Sequence, residues 1–168
     1  LLVGAFLAMF QTDLKGLLAY SSISHLGLIT LLLGMNSPTA AVAAVFHIIN
    51  HATFKASLFM AAGIVDHESG TRDIRRLSGL IRYMPVTGAL AFVASAAMAG
   101  VPLLNGFLSK EMFFAATIDL DTSHPMGLVL PVVATVAAMF SVTYALRFSI
   151  DVFLGPWAQG HRSAARTA

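Results

Sequence analysis

The chain has 168 residues and no cysteine, which removes disulfides, thiolate zinc sites and iron–sulfur ligation. Charge is scarce too: Asp, Glu, Lys and Arg together make up 11%, against about 25% in an ordinary soluble domain. A formal net charge of +2, with no basic run interleaved with aromatics, gives no support for a nucleic-acid partner. Nor does the chain contain a glycine-rich nucleotide fingerprint, a nucleophile elbow or paired catalytic carboxylates. Enzyme chemistry of the soluble kind has no basis in it, and no cofactor is expected. Residue 1 is a leucine inside an apolar stretch, without an initiator methionine or a signal-peptide pattern. That predicts an internal piece of a longer protein.

What the chain has is apolar length. Hydrophobic residues are 57% of it, and reading for stretches of about twenty apolar residues gives an all-α membrane fold. The expected elements are an N-terminal helix stub over 1–10 and spans over 14–34, 39–65, 84–118 and 126–150, forming a single membrane domain over 1–168. The third span would be over 50 Å long at about 1.5 Å per residue, far more than a hydrocarbon core of about 30 Å. In its middle, Pro102 removes a backbone donor and Gly100 and Gly106 loosen the helix. The segment is therefore either a hairpin of two short helices or one discontinuous span.

Charge placement favours the discontinuous span. With a single crossing there, Lys15, Arg72, Arg75, Arg76, Arg82, Arg147, Arg162 and Arg166 lie on one side. The opposite loops, Asn36 to Pro38 and Asp119 to Pro125, hold no Lys or Arg. Eight against none is a strong positive-inside signal, so the basic side is taken as cytoplasmic. Only Lys55 and Lys110 remain, and both fall inside the membrane.

Within the second span, His47, His51 and Lys55 stand at i, i+4 and i+8. On a helix such positions drift by about 40° and rise about 6 Å per step, so the three form one stripe. Ionisable groups in a membrane are costly and mark ion or proton routes by default. Both residue types can give and take protons in a desolvated setting. A step of about 6 Å is too long for a direct hydrogen bond, so bridging water is expected. The alternative use of such histidines is interhelical hydrogen bonding.

Lys110, in the second half of the broken span, lies where unwound backbone can coordinate ions or order water. Glu111 points about 100° away from it, as a helix contact or a countercharge. On the first span, Ser21 and His25 share a face. The serine is expected to pack, while His25 either packs or extends the relay. His67, His124 and His161 are expected in solvated loops. A metal is not expected: His47 and His51 make a His-x3-His pair, but no Glu follows the first histidine and no third ligand is evident. Haem held by His25 with His47 or His51 would make an electron carrier, which has no use for Lys55 and Lys110.

Three ordered motifs then give a resemblance that covers nearly the whole chain. Asp13-Leu-Lys-Gly-Leu-Leu-Ala-Tyr-Ser-Ser-Ile-Ser-His-Leu-Gly27, Phe46-His-Ile-Ile-Asn-His-Ala-Thr-Phe-Lys-Ala-Ser-Leu-Phe59 and Gly106-Phe-Leu-Ser-Lys-Glu111 resemble the antiporter-like membrane subunits. That family includes the proton-pumping subunits of respiratory complex I and the large subunits of Mrp-type cation/proton antiporters. The resemblance implies the later part of a fourteen-helix core with an inverted repeat and two broken helices. It matches Lys110 to the lysine of the second broken helix, and Lys55, His47 and His51 to the central hydrophilic axis. His25 falls where members vary. The glutamate and lysine that the family pairs in its first repeat would lie upstream.

The stretches Gly63 to Leu80 and Leu146 to Phe153 resemble the Mrp A subunit more than its complex I counterpart. The expectation is thus proton translocation within a multisubunit Na⁺/H⁺ antiporter of a bacterial inner membrane, through Lys55, Lys110, His47, His51, His25 and Glu111. Its partners would be other membrane subunits, protons, Na⁺ and the lipid bilayer. The alternatives are a proton-pumping subunit of NADH-quinone oxidoreductase and a structural scaffold segment of such a complex.

Overall fold

A computed structural model describes residues 1–119 and 126–155. Six α-helices occur among them: α1 (Leu2–Phe10), α2 (Leu14–Gly34), α3 (Pro38–Ser69), α4 (Pro85–Ala99), α5 (Asn105–Ile118) and α6 (Met126–Leu146). The last continues into a π-helical stretch, Arg147–Leu154. Local chemistry sets most of the ends. The Asp13 carboxylate accepts from the Gly16 N–H at 2.7 Å and caps α2. Ser37 caps α3 in the same way at 3.1 Å, ahead of Pro38 at a position where its missing N–H costs nothing.

Helix α3 runs through Ser69, past the expected end at Val65, and stops only at Gly70, whose φ of +67° suits glycine. At about 1.5 Å per residue it approaches 48 Å, so its last turns project beyond the hydrocarbon. His67 accordingly sits on the last helical turn rather than in a loop, where it is exposed and pairs with Glu68 at 3.0 Å. His124 and His161, Arg162 and Arg166, and most of the Asp119 to Pro125 loop lie outside the described residues.

The broken span is resolved into its two halves. Helix α4 ends at Gly100 with φ +87°, and Leu103 in the following turn also has a positive φ, +76°. At 15 and 14 residues, α4 and α5 are each about 22 Å long, too short to cross a core of about 30 Å alone. Their packing shows that the chain keeps its direction. Ala91, Ala94, Ala97 and Met98 of α4 share a buried cluster with Phe54, Leu58, Ala62 and Val65 of the C-terminal half of α3. Phe113 and Ala116 of α5 instead join Ala40, Ala43 and Ala44 from its N-terminal half. Together α4 and α5 form one discontinuous crossing antiparallel to α3. Beside it, Leu14–Gly34, Pro38–Ser69 and Gly127–Leu154 are each long and apolar enough to cross a membrane.

The described basic ends gather at one pole. There Lys15 pairs with Asp66 at 2.7 Å, Arg72 lies between Asp13 and Asp66, and Arg75 pairs with Asp73. Two backbone bonds, Leu14 N–H to Arg72 O and Ile74 N–H to Thr12 O, both 2.8 Å, tie the start of α2 to the loop after α3. Arg147 donates to the carbonyl of Met9 and pairs with Asp151, fastening the end of α6 to the end of α1.

Candidate proton pathway

Helices α2, α3, α5 and α6 bring polar side chains together in the middle of the fold. The stripe on α3 is real, but its members do not face one another alone. His25 of α2 inserts beside it, with ring centroids 5.2 Å from both His47 and His51, which are themselves 6.3 Å apart. His25 Nδ1 is 3.0 Å from His47 Nε2, a direct hydrogen bond. That bond lies beside the stripe and joins neither His47 to His51 nor His51 to Lys55, the steps for which bridging water is expected. With the His25 and His47 rings stacked in direct contact, no gap remains between them for a porphyrin.

From this pair the contacts run to two other helices. His47 Nδ1 is 2.9 Å from Ser109 Oγ on α5, and the Tyr144 hydroxyl on α6 is 3.2 Å from His25 Nε2. His25, His47, Ser109 and Tyr144 are all buried. His51 is less enclosed, and its Nε2 is buried with no hydrogen-bond partner among the described residues.

The two lysines flank the histidines. Lys55 reaches back to α2, donating to Leu18 O at 3.1 Å and to the Ser21 hydroxyl. Ser21, expected as a packing residue, thus contacts an ammonium. Lys110 folds over the break, where Gly100 leaves room for it: a Cβ there would come within 2.8 Å of Lys110 Cδ. Its Nζ donates to Ala99 O and to Ser141 Oγ, both at 2.8 Å. Between Lys110 and His25 lies a cavity of about 20 Å³ whose lining includes Ser24, Ser141 and Tyr144. That is room for about one water molecule.

Glu111 is exposed on this chain's surface and makes no ion pair among the described residues. Sequence reasoning missed Ser109, Ser141 and Tyr144. Ser109 precedes Lys110 directly, and Ser141 with Tyr144 stands at i, i+3 on one face of the last span, a weak signal among many membrane serines.

The arrangement is a chain of exchangeable protons crossing four helices in an apolar fold. Residues 1–141 match the family described as NADH:quinone oxidoreductase/Mrp antiporter, TM. The chain belongs to this family. Among curated members it is 73% identical over 155 residues to the A/B subunit of a probable K⁺/H⁺ antiporter from Rhizobium meliloti, covering 92% of this chain and 16% of that protein. It is 45% identical over 168 residues to the A subunit of the Na⁺/H⁺ antiporter from Bacillus subtilis, covering 90% and 21%. In three dimensions it matches a chain of the Mrp complex from Dietzia sp. DQ12-45-1b with a TM-score of 0.83 and 44% identity, over 94% of this chain and 17% of that one. The sequence thus spans about a fifth or less of the length of these three relatives.

Proposed function

We propose that this segment carries protons through the membrane domain of a multisubunit cation/proton antiporter in a bacterial inner membrane. The single observation behind the reading is the buried polar chain: two lysines, each bonded to a carbonyl and a serine hydroxyl, on either side of a directly bonded histidine pair. Protons move by hopping between these groups. Two unit charges a few ångströms apart interact by about 4 kcal/mol at a near-surface effective dielectric, so charging one site lowers its neighbour's hold on a proton by roughly three decades. Lys55 and Lys110 therefore drive each other through the histidines. Protons enter and leave through the rest of the complex, and the exchanged ion is monovalent, K⁺ or Na⁺, as in the relatives' names.

The test uses the full-length protein with its partners in inside-out vesicles energised without NADH. Addition of K⁺ or Na⁺ should collapse the proton gradient in wild type. Lys55→Arg and Lys110→Arg should assemble yet show no collapse, because a guanidinium keeps its proton at any ordinary pH. Full activity in both variants would reduce the lysines to fixed charges and remove the relay. The family model covers NADH:quinone oxidoreductase as well. No response to either cation in wild type would move the reading to that redox-driven pump. Loss of assembly in both variants would leave the scaffold reading in its place.

A further inference from the structure

The hydrogen-bond contacts around the histidine pair suit one continuous order of donors and acceptors. Ser109 has one hydroxyl hydrogen, and Oγ lies 3.2 Å from the carbonyl of Gly106, which can only accept. Assigning that hydrogen to Gly106 makes Ser109 Oγ the acceptor from His47, 2.9 Å away, and puts the His47 proton on Nδ1. His47 Nε2 is then bare and must accept from His25 Nδ1–H across the 3.0 Å contact. A neutral imidazole has one N–H, so His25 Nε2 is bare in turn and accepts the Tyr144 hydroxyl. One carbonyl at the start of α5 thereby orients four groups on four helices. Ser141 is used in the same way: its hydrogen goes to Met98 O at 3.2 Å, leaving its oxygen to accept from Lys110.

Resting on the proton-transport reading above, we propose that Ser109 is a positioning residue that holds both histidines in their Nδ1–H tautomers, and that Tyr144 is the relay between the Lys110 cavity and His47. Transfer from Lys110 to His47 is then a series of bond exchanges. The Tyr144 O–H bond breaks as an N–H bond forms at His25 Nε2. Tyr144 regains a proton from a water in the cavity, which takes one from the Lys110 ammonium. The His25 Nδ1–H bond breaks as an N–H bond forms at His47 Nε2. The sequence leaves Lys110 a neutral amine and His47 an imidazolium, one charge moved and none created. Reversal needs only the same bonds in the opposite order. Neither serine nor tyrosine changes charge overall.

The test is made on the assembled full-length complex in membranes, with ¹⁵N-labelled histidine. Solid-state NMR reads the tautomers, assigned by loss of signal in His25→Gln and His47→Gln. Wild type should show His25 and His47 protonated at Nδ1. Ser109→Ala should move His47 to a mixture of tautomers and slow transport about tenfold or more, and Ser109→Thr, which keeps the hydroxyl, should restore both. Tyr144→Phe should slow transport to a similar extent with the His47 tautomer unchanged. The proposal is overturned by Nε2–H histidines in wild type, by an unaltered His47 signal in Ser109→Ala, or by wild-type transport in an assembled Tyr144→Phe complex. The tautomer readings do not depend on which ion is exchanged. Active Lys→Arg variants with the expected tautomers would therefore sink the transport reading and leave the positioning role of Ser109 standing.

Discussion

Lys55 and Lys110 have the same kind of first contacts, one helix carbonyl and one serine hydroxyl, yet the carbonyls differ. Lys55 donates to Leu18 O in the interior of the unbroken helix α2, where the Ser21 and Ser22 hydroxyls, each 2.9 Å away, already donate to it. Lys110 donates to Ala99 O, the last residue of α4. The final carbonyls of a helix have no partner within it, and here the break satisfies them one by one. Gly100 N–H takes Ala96 O and Ala97 O, the Ser141 hydroxyl takes Met98 O, and Lys110 takes Ala99 O. The negative end of the α4 dipole also faces the Lys110 side chain. Lys55 is a guest on a finished helix, whereas Lys110 completes an unfinished one. A discontinuous helix thus takes its own cap from the lysine to which the proposed route assigns a proton.

Removal of each side chain should expose that difference most strongly. Lys110→Ala leaves Ala99 O without its donor in the middle of the membrane, at a cost of about 1–3 kcal/mol. Lys55→Ala leaves Leu18 O with its two serine donors and should cost less than about 1 kcal/mol beyond lost packing of the stem. Melting of the purified complex, at one scan rate, should therefore fall further for Lys110→Ala, while transport is lost in both. Equal shifts would erase the distinction. A smaller effect is expected from Gly100→Ala, which places a Cβ at φ +87° and 2.8 Å from Lys110 Cδ. The left-handed conformation alone costs about 1–2 kcal/mol, and the Lys110 stem must shift from its place against Ala99 O to make room. Transport should drop although Lys110 is unchanged. A variant with normal transport would show that the capping geometry is dispensable.

The parts of this arrangement that were legible in the sequence are those carried by one helix at a time. The apolar runs, the break around Pro102, and the alignment of His47, His51 and Lys55 follow from composition and the 3.6-residue period. The resemblance to antiporter-like proteins added the places of Lys55 on the hydrophilic axis and of Lys110 on the second broken helix. What could not be read was set by the register between helices. Whether His25 meets His47 directly depends on how α2 slides against α3, and nothing in either helix alone encodes that slide. Ser109 and Tyr144 are invisible for the same reason: a hydroxyl acquires meaning only from the ring nitrogen opposite it. The reach of α3 to Ser69 was missed because Asp66, His67 and Glu68 read as loop. In fact the helix continues into water until Gly70 stops it.

A charge outside the membrane gives the opposite limit of the comparison, since water there does what carbonyls and serines do for the lysines. Asp73, in the loop after α3, accepts from the Arg75 guanidinium at 2.9 Å and from the Arg75 N–H at 3.1 Å. Those bonds, with the arginine's charge, hold its carboxyl below the usual aspartate range. A folded-state value depressed in this way stabilises the fold above the unfolded group's pKa, and the contribution is lost as pH falls through the folded one. Asp73→Asn should therefore melt slightly below wild type at neutral pH, with the gap closing in acid beneath the usual aspartate range. Exposed pairs contribute little to stability, so this is the smallest effect of the series. It should also weaken with added salt, as a solvent-screened pair must, whereas the Lys110→Ala deficit should not. A salt-sensitive Lys110→Ala deficit would mean that bulk water reaches Lys110, and the cap at the broken helix would lose its special standing over Lys55.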